Sequence, residues 1–309
     1  MKKNKLRLEN DYNILSLDGG GIRGIMLLCQ LVDLEKKLDK PIHETFDLIS
    51  GTSTGAIVAV LLAMGYTAND ILTFYLTNAK KIFKKRFLRF GIFRPKYSDK
   101  FFNSIIKKYV DDKYLSDLSC DVIITAYNAT KKQKVIFKSK KAKVNASYDY
   151  KLFDVIRSSA SAQTFFKPHK IGSSYFIDGG MVINNPTLIS YIEAIGYKVR
   201  FNNINVLSYS TGIKSAIINN STLKGGIINW AKPTVDILLA EQSQIADYHM
   251  KEMGINNEHL NYIRCESYIS KSSGKIDDVS TKNLNNLIRD GRVSTISNRL
   301  LVEKFISFI

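Results

Sequence analysis

The chain has 309 residues, of which 45% are hydrophobic and 24% are charged, and its formal net charge at pH 7 is +17. This composition excludes collagen-like and disordered chains, and the length fits one large α/β domain or two small ones. No apolar run is long enough to span a membrane, no apolar segment completes a signal peptide behind the basic N-terminus, and three widely spaced cysteines indicate reduced thiols rather than a metal site.

The first predicted strand leads into a loop that is rich in glycine. Tyr12–Leu17 is a short apolar run, the sequence DGGGIRG follows at 18–24, and Ile25–Leu38 has the apolar spacing of a helix. Backbone amides in such a loop can bind an anion at the start of a helix. The anion could be the oxyanion of a tetrahedral intermediate. It could also be a phosphate, since the loop satisfies G-x-G-x-x-G, so a nucleotide-binding protein that uses Gly19–Gly24 is the alternative.

The next predicted strand ends at a serine between glycines. Phe46–Ile49 is apolar, GTSTG stands at 51–55, and a long apolar segment begins at Ala56. This order of strand, tight turn and helix is typical of a nucleophile elbow, in which Ser53 projects from the sheet and a Cβ at either flanking glycine would collide with backbone. The alternative is a glycine-rich turn in which Ser53 only caps the helix.

Basic residues alternate with aromatic residues after the third predicted helix, Thr67–Phe83. The basic stretch at 80–94 could form a lid that docks on a membrane, or its aromatic side chains could belong to the core. Ser98–Tyr109 is a further helix. Lysines between 131 and 143 surround a predicted hairpin of Asp121–Tyr127 and Lys134–Phe137, where we expect a solvated sheet edge.

A second strand end carries an aspartate. Leu152–Ser161 is predicted to be helical, and Ser174–Ile177 is a strand that leads into Asp178-Gly179-Gly180. Active-site residues of open α/β sheets collect where strands end, which makes Asp178 a candidate. A turn-forming Asp-Gly pair is the alternative. The sequence NNP at 184–186 then opens a helix, with proline at its first position and asparagine as its cap.

The rest of the chain gives weaker patterns. The predicted elements are a strand at Ile204–Tyr209, a long helix at Gly225–Met253, a strand at Tyr262–Cys265 and helices at Asn283–Ile288 and Ser297–Phe308. Ser270–Lys275 is expected to be flexible. We expect a single domain over residues 1–309, with a core at about 12–212 and a helical extension at 213–309 that packs on the same domain.

The ordered set of motifs resembles the patatin-like phospholipase family of bacterial and plant patatin type. DGGGIRG at 18–24, GTSTG at 51–55 and DGG at 178–180 carry the resemblance, together with FDLIS before the elbow, SSASAQTFF at 158–166, NNP at 184–186, the Trp230 region and NYIRCE at 261–266. The resemblance covers nearly the whole chain. One departure is Gln163, which stands where the family usually has proline.

The resemblance implies a three-layer α/β/α fold with a mostly parallel central sheet and a Ser–Asp dyad without a catalytic histidine. Ser53 matches the family nucleophile and Asp178 matches the proton acceptor. The oxyanion hole would comprise Gly19, Gly20, Gly21, Arg23 and Gly24, and the elbow and DGG motif contribute Gly51, Gly55, Gly179 and Gly180. A triad in the order Ser53, Asp178, His249 is the alternative, although His249 lies inside a predicted helix.

The predicted function is that of a calcium-independent phospholipase A or lipid acyl hydrolase that works through an acyl-enzyme. No cofactor and no metal site are expected, since no Asp-rich calcium loop is visible. The expected partner is an anionic phospholipid membrane surface, matching the charge of +17, with a small-molecule or protein activator as a further partner and no nucleic acid. The expected location is cytoplasmic and peripheral at membranes, with secretion as an effector without a signal peptide left open.

Overall fold

Ten strands and twelve α-helices lie within residues 8–84, 94–197, 200–213, 218 and 220–309, the parts of the chain that the computed structural model describes. The strands are β1 Leu8–Glu9, β2 Tyr12–Leu17, β3 Leu48–Thr52, β4 Asp121–Asn128, β5 Gln133–Lys138, β6 His169–Ile171, β7 Ser174–Asp178, β8 Arg200–Phe201, β9 Ile204–Tyr209 and β10 Leu260–Cys265. The helices are α1 Gly24–Leu38, α2 Ile42–Thr45, α3 Thr54–Ala63, α4 Ala68–Ile82, α5 Asp99–Val110, α6 Ser139–Ala142, α7 Leu152–Ser159, α8 Thr187–Ile195, α9 Asn220–Leu223, α10 Ile227–Asn256, α11 Thr281–Ser297 and α12 Arg299–Ile306.

The central sheet is mixed. Its strand order is β10-β9-β2-β3-β4-β7-β6, and β5 also pairs with β4. Neighbouring strands from β10 to β4 are parallel, whereas β4 pairs antiparallel with both β5 and β7, and β7 with β6. The parallel part therefore contains the two strands that precede the glycine-rich loops, and the antiparallel part contains the strand that precedes Asp178.

Helices cover both faces of this sheet, which confirms the α/β/α layers. Successive side chains of a strand point to opposite faces. In β2, Leu15 and Leu17 pack into a core with α1, α3, α4, α5 and α7, whereas Tyr12 and Ile14 pack into a second core with α8 and α10. All ten residues of α3 are buried, because this helix lies between the sheet and other helices.

Most of the predicted elements are present with bounds that shift by a few residues. Helix α4 begins with a capping box in which Thr67 and Asp70 bond to each other's amides. Helix α8 begins one residue later than expected, so Pro186 precedes its first turn and the side chain of Asn185 accepts from Thr187 N. The sequence did not predict β6, and α11 is far longer than the predicted Asn283–Ile288.

The C-terminal segment contributes a strand to the central sheet as well as helices. Strand β10 is the edge strand of the central sheet and pairs in parallel with β9. The segment 270–275, expected to be flexible, bonds to the buried carboxylate of Asp290, which accepts from the amides of Ser270, Lys271 and Ser272. A carboxylate 18 to 20 residues further along the chain thus satisfies the amides at the start of this segment.

The basic stretch proposed as a lid is only partly described. Residues 85–93 lie outside the described residues. In the described part, Lys80 of α4 donates to Thr281 Oγ1 at 2.9 Å. No described helix is both long enough and apolar enough to cross a membrane.

Candidate active site

Ser53 lies at a strained turn between β3 and α3. Its φ of 54° and ψ of −114° are unusual for a residue with a side chain. Its amide donates to Ser159 Oγ at 2.8 Å, which ties the turn to the end of α7. This backbone geometry places the half-buried Ser53 at the end of the parallel strands.

The two flanking glycines are required by contacts between backbones. A Cβ on Gly51 would lie 2.1 Å from the carbonyl oxygen of Gly55, and a Cβ on Gly55 would lie 2.2 Å from that of Leu17. Neither obstacle is a side chain that could rotate away. The turn can therefore close on itself and on β2 only with glycine at both positions.

Asp178 is in direct contact with Ser53. Ser53 Oγ donates to Asp178 Oδ2 at 2.6 Å, and Gly180 N donates to Asp178 Oδ1 at 2.8 Å. Asp178 ends β7, opposite Ala126 of β4, and a Cβ on Gly179 would lie 2.4 Å from the carbonyl oxygen of Thr125. Gly179 thus lets the chain turn closely over β4, and this turn brings the carboxylate next to the serine.

Burial changes the acidity of this carboxylate. Asp178 is only 6% exposed, and burial raises its pKa to about 6, while the hydrogen bonds from Ser53 and Gly180 oppose the rise. At neutral pH the group is ionised, but it is a stronger base than an ordinary aspartate. A carboxylate of this kind can accept the proton of a hydroxyl that touches it.

The glycine-rich loop borders the serine. A Cβ on Gly19 would lie 3.4 Å from Ser53 Cβ and 2.5 Å from Asn184 Oδ1. The amide of Gly19 donates to the carbonyl of Asn184 at 3.1 Å, and Thr211 Oγ1 donates to the carbonyl of Gly19 at 2.6 Å. Within the described residues, no acceptor is bonded to the amide of Gly20 or of Gly21. These two donors remain for an anion.

Protein atoms fill the space on the side-chain faces of these glycines. A Cβ on Gly20 would lie 2.1 Å from Thr211 Oγ1, and a Cβ on Gly21, whose φ is +58°, would lie 2.3 Å from the carbonyl oxygen of Ile276. In a dinucleotide-binding loop a glycine is needed so that the backbone can approach a pyrophosphate. Here the glycines admit other parts of the same chain, which gives the nucleotide-binding alternative no support.

Arg23 and Gly24 support the loop from its C-terminal side. The guanidinium of Arg23 donates through Nη1 to the carbonyl of Gly212 at 3.1 Å and through Nε to that of Gly20 at 3.4 Å. A Cβ on Gly24 would lie 2.6 Å from Thr54 Oγ1, so this glycine lets the starts of α1 and α3 approach each other. Arg23 thus binds backbone carbonyls beside the loop, and Gly24 allows two helix starts to pack closely; among the described residues, no hydrogen bond joins the side chain of Arg23 to Ser53.

No histidine forms a hydrogen bond with Ser53 or Asp178 in the described residues. His249 is exposed on α10, and His169 bonds to Asp154 at 2.8 Å. Among the described residues, the side-chain hydrogen bonds of Asp178 come from Ser53 and Gly180 alone. Over the same residues, no group of three or more His, Cys, Asp or Glu side chains could hold a metal ion.

Several supporting residues were not predicted as site residues. Ser159 and Asn184 stand inside motifs that the sequence analysis quoted, so a local signal was available for them. Thr211 follows a predicted strand, which is a weaker signal. Arg264 stands inside NYIRCE at 261–266, but no local pattern indicates its bond to Asp18 across 246 residues of sequence.

Comparisons with known proteins agree with these motifs. A family model described as patatin-like phospholipase matches residues 15–191, more than half of the chain. Patatin-like protein 1 of Arabidopsis thaliana is 28% identical over 93% of this chain and 82% of its own length. A potato protein named probable inactive patatin-3-Kuras 1 is 26% identical over 90% of this chain and 84% of its own. A relative whose name calls it probably inactive is thus about as similar to this chain as one whose name does not, so sequence identity does not decide whether this chain is active.

A solved structure with a similar chain path is VipD from Legionella pneumophila. It is 13% identical, with a TM-score of 0.47, and the match covers 99% of this chain and 71% of that one.

Proposed function

The chain belongs to the patatin-like phospholipase family, and from this premise we propose that it is a calcium-independent phospholipase A, or lipid acyl hydrolase, that cleaves fatty-acyl esters of glycerophospholipids. The family supports a lipid-hydrolysing enzyme. The observation that carries the finer proposal is the contact of 2.6 Å between Ser53 Oγ and Asp178 Oδ2 at the elbow.

The proposed reaction has two halves. Asp178 takes the hydroxyl proton as Ser53 Oγ attacks the ester carbonyl, and the proton then goes to the leaving alcohol, which departs as a lysophospholipid. Water attacks the acyl-enzyme in the same way, again giving up its proton to Asp178. The serine oxygen regains a proton as the fatty acid leaves.

The negative charge of each tetrahedral intermediate needs hydrogen-bond donors. We assign this role to the amides of Gly20 and Gly21, for which no described residue provides an acceptor. Such a donor typically contributes about a hundredfold to a thousandfold in rate. The raised pKa of Asp178, about 6, suits a base that has to be ionised at neutral pH and still take a proton.

Ser53→Ala is expected to abolish the release of fatty acid from phosphatidylcholine/phosphatidylglycerol vesicles in EDTA, because alanine has no oxygen to form the acyl-enzyme. The loss should be at least about a thousandfold. Ser158→Ala is the matched control. Its hydroxyl is buried and has no hydrogen-bond partner in the described residues, so its loss should change the rate little.

The measurement is release of labelled fatty acid, together with covalent labelling by a fluorophosphonate. A wild type that releases no fatty acid from any vesicle, or equal release by Ser53→Ala, would contradict the proposal. Release that needs added calcium would contradict its calcium-independent part.

We further propose that the protein acts as a peripheral protein on anionic membranes. Exposed apolar side chains occur on segments that contact the site: Met181 follows the DGG motif, Leu238 precedes Gln242 by one turn of α10, and Tyr268 follows β10, with 40%, 54% and 68% exposure. Met181 O accepts from Gln242 of α10, and residue 268 pairs with Ile213, one residue beyond the Gly212 carbonyl that Arg23 binds. The net charge of +17 would add attraction to anionic headgroups.

Leu238→Ser and Tyr268→Ser are each expected to weaken binding to anionic vesicles by about tenfold, since burying an apolar side chain contributes about 1.5 kcal/mol or more. Co-sedimentation at rising salt measures this, and cleavage of a soluble ester should stay unchanged. Val144→Ser is the control, because Val144 is 82% exposed but lies at the opposite end of the parallel strands, where it lines a cavity with Leu48 at the start of β3. Equal binding to neutral and anionic vesicles would contradict the role of charge.

A further inference from the structure

Asp18, which opens the glycine-rich loop, is held by an arginine from the last strand of the sheet. Arg264 donates through Nη1 to Asp18 Oδ1 at 2.9 Å and through Nη2 to Oδ2 at 2.5 Å. The side chains are 2% and 3% exposed. A bidentate pair of this kind fixes both the position and the orientation of a carboxylate.

The guanidinium is itself held on its other sides. Arg264 lies opposite Ser208 in the register of β10 with β9, Ser208 Oγ accepts from Nη1 at 2.7 Å, and Glu266 Oε1 accepts from Nε at 2.9 Å. Burial raises the pKa of Asp18, and the charge of Arg264 opposes that rise. Arg264 thus keeps a carboxylate in place that would otherwise be costly to bury.

A second contact from the C-terminal segment holds the other end of the same loop. Ile22 N donates to the carbonyl of Ile276 at 2.9 Å, and the space beside Gly21 is filled by that carbonyl. The segment that carries Ile276 is anchored at its start by the carboxylate of Asp290. Gly20 and Gly21 therefore lie between two contacts with the C-terminal segment, one at Asp18 and one at Ile22.

We propose that Arg264 is a positioning residue that holds the amides of Gly20 and Gly21 at the oxyanion through its bidentate contact with Asp18. The proposal rests on the proposed function of these amides. Donors stabilise a transition state only when they lie about 2.7–3.1 Å from the developing charge, and a displacement of about 1 Å can cost a hundredfold in rate. Arg264 lies beyond residues 15–191, which the family model matches, and supports a loop inside them.

The test compares wild type with Arg264→Lys, Arg264→Met and the double variant Asp18→Asn/Arg264→Gln on p-nitrophenyl butyrate. Lysine keeps the charge but cannot make the bidentate contact. The double variant removes both charges of the bidentate pair and leaves only the carboxylate of Glu266, whose side chain is 19% exposed, without its arginine, so it is expected to fold. In all three, kcat should fall by about 10- to 100-fold with KM changed less than about twofold, since the contact acts only in the transition state.

Two further readouts separate positioning from folding and from the proposed function. The rate constant for labelling of Ser53 by a fluorophosphonate should fall by the same factor as kcat, and it can be measured even if no lipid or ester is cleaved. Phe305→Leu, a buried substitution where α12 stacks on Phe46, is the control for lowered stability and should leave both rates near wild type.

The proposal is overturned if Arg264→Lys or the double variant reacts within twofold of wild type in both assays. It is equally overturned if KM rises while kcat and the labelling rate stay unchanged. If the single variants do not fold, the double variant decides alone by the same criterion, and its failure to fold would show that Arg264 acts on stability rather than on the loop.

Discussion

Asp178→Asn is expected to reduce ester cleavage by about a hundredfold to ten-thousandfold and, at pH 7, to raise the stability of the protein. The loss of activity follows because asparagine cannot accept the proton of Ser53. The gain in stability follows from the cost of ionising a buried carboxylate. The pKa of Asp178 is about 6 in the folded protein against an ordinary value of 3.8, which corresponds to at most about 3 kcal/mol.

The pH dependence of this gain has a definite sign. Because the folded pKa is the higher one, the folded protein binds more protons than the unfolded chain between about pH 4 and pH 6. Wild type therefore loses the corresponding stability as pH rises through about 6, and the asparagine variant does not. The advantage of Asp178→Asn should be full at pH 7 and absent below about pH 4.

Urea unfolding of both proteins between pH 4 and pH 8 measures the effect, with Asp290→Asn as the control. Burial would raise the pKa of Asp290, but hydrogen bonds from Ser272 and Ser270 outweigh it, so that pKa lies below its ordinary value. Asp290→Asn should therefore destabilise at pH 7. A wild-type rate in Asp178→Asn would show that Asp178 is not the base and would favour a histidine in that role. A loss of stability at pH 7 would contradict the pKa argument.

Gly51→Ala is expected to destabilise the protein by about 4 kcal/mol or more and to remove its activity. The added methyl group would lie 2.1 Å from the carbonyl oxygen of Gly55 and 2.6 Å from the amide of Ala56. Both atoms belong to the backbone of the first turn of α3, which is packed against β2 and cannot retreat. Relief would require that turn to unwind, and Ser53 would then lose its position.

Thermal unfolding and fluorophosphonate labelling measure the effect of Gly51→Ala. Gly226→Ala is the matched control, because a Cβ there would meet nothing within 4 Å and its φ is −92°. That change should stay within about 0.5 kcal/mol of wild type. A Gly51→Ala protein that melts near wild type and still labels at Ser53 would show that the elbow can open.

The sequence could indicate the two side chains of the proposed dyad because both stand where an apolar run meets glycines. Ser53 follows β3 and Asp178 ends β7, both strands have a clear local pattern, and strand ends of one sheet meet at one edge. The short β6 was missed since three partly exposed residues carry no periodicity. The pair of Asp18 and Arg264 could not be predicted, because a contact between distant residues depends on strand order and register.

The contacts that support the glycine-rich loop could not be predicted for the same reason, because they also join residues that are distant in the sequence. Nothing in the Gly19–Gly21 sequence indicates that the amide of Gly19 is bonded to Asn184, or that Thr211 and Ile276 fill the space beside the other two glycines. The glycines predicted a place where backbone and some other group come close. Only the folded chain determines whether that group is a ligand or a distant part of the protein.

Strand β10 forms the edge of the sheet and follows Ser53, Asp178 and the glycine-rich loop in the sequence. On a ribosome, the elbow and its base can therefore assemble before residue 264 exists, since domains form from the N-terminus as synthesis proceeds. The loop would lack its contact with Arg264 until that residue has been made. A nascent chain, or one truncated before residue 264, would then carry Ser53 and Asp178 without the full support of the proposed anion site.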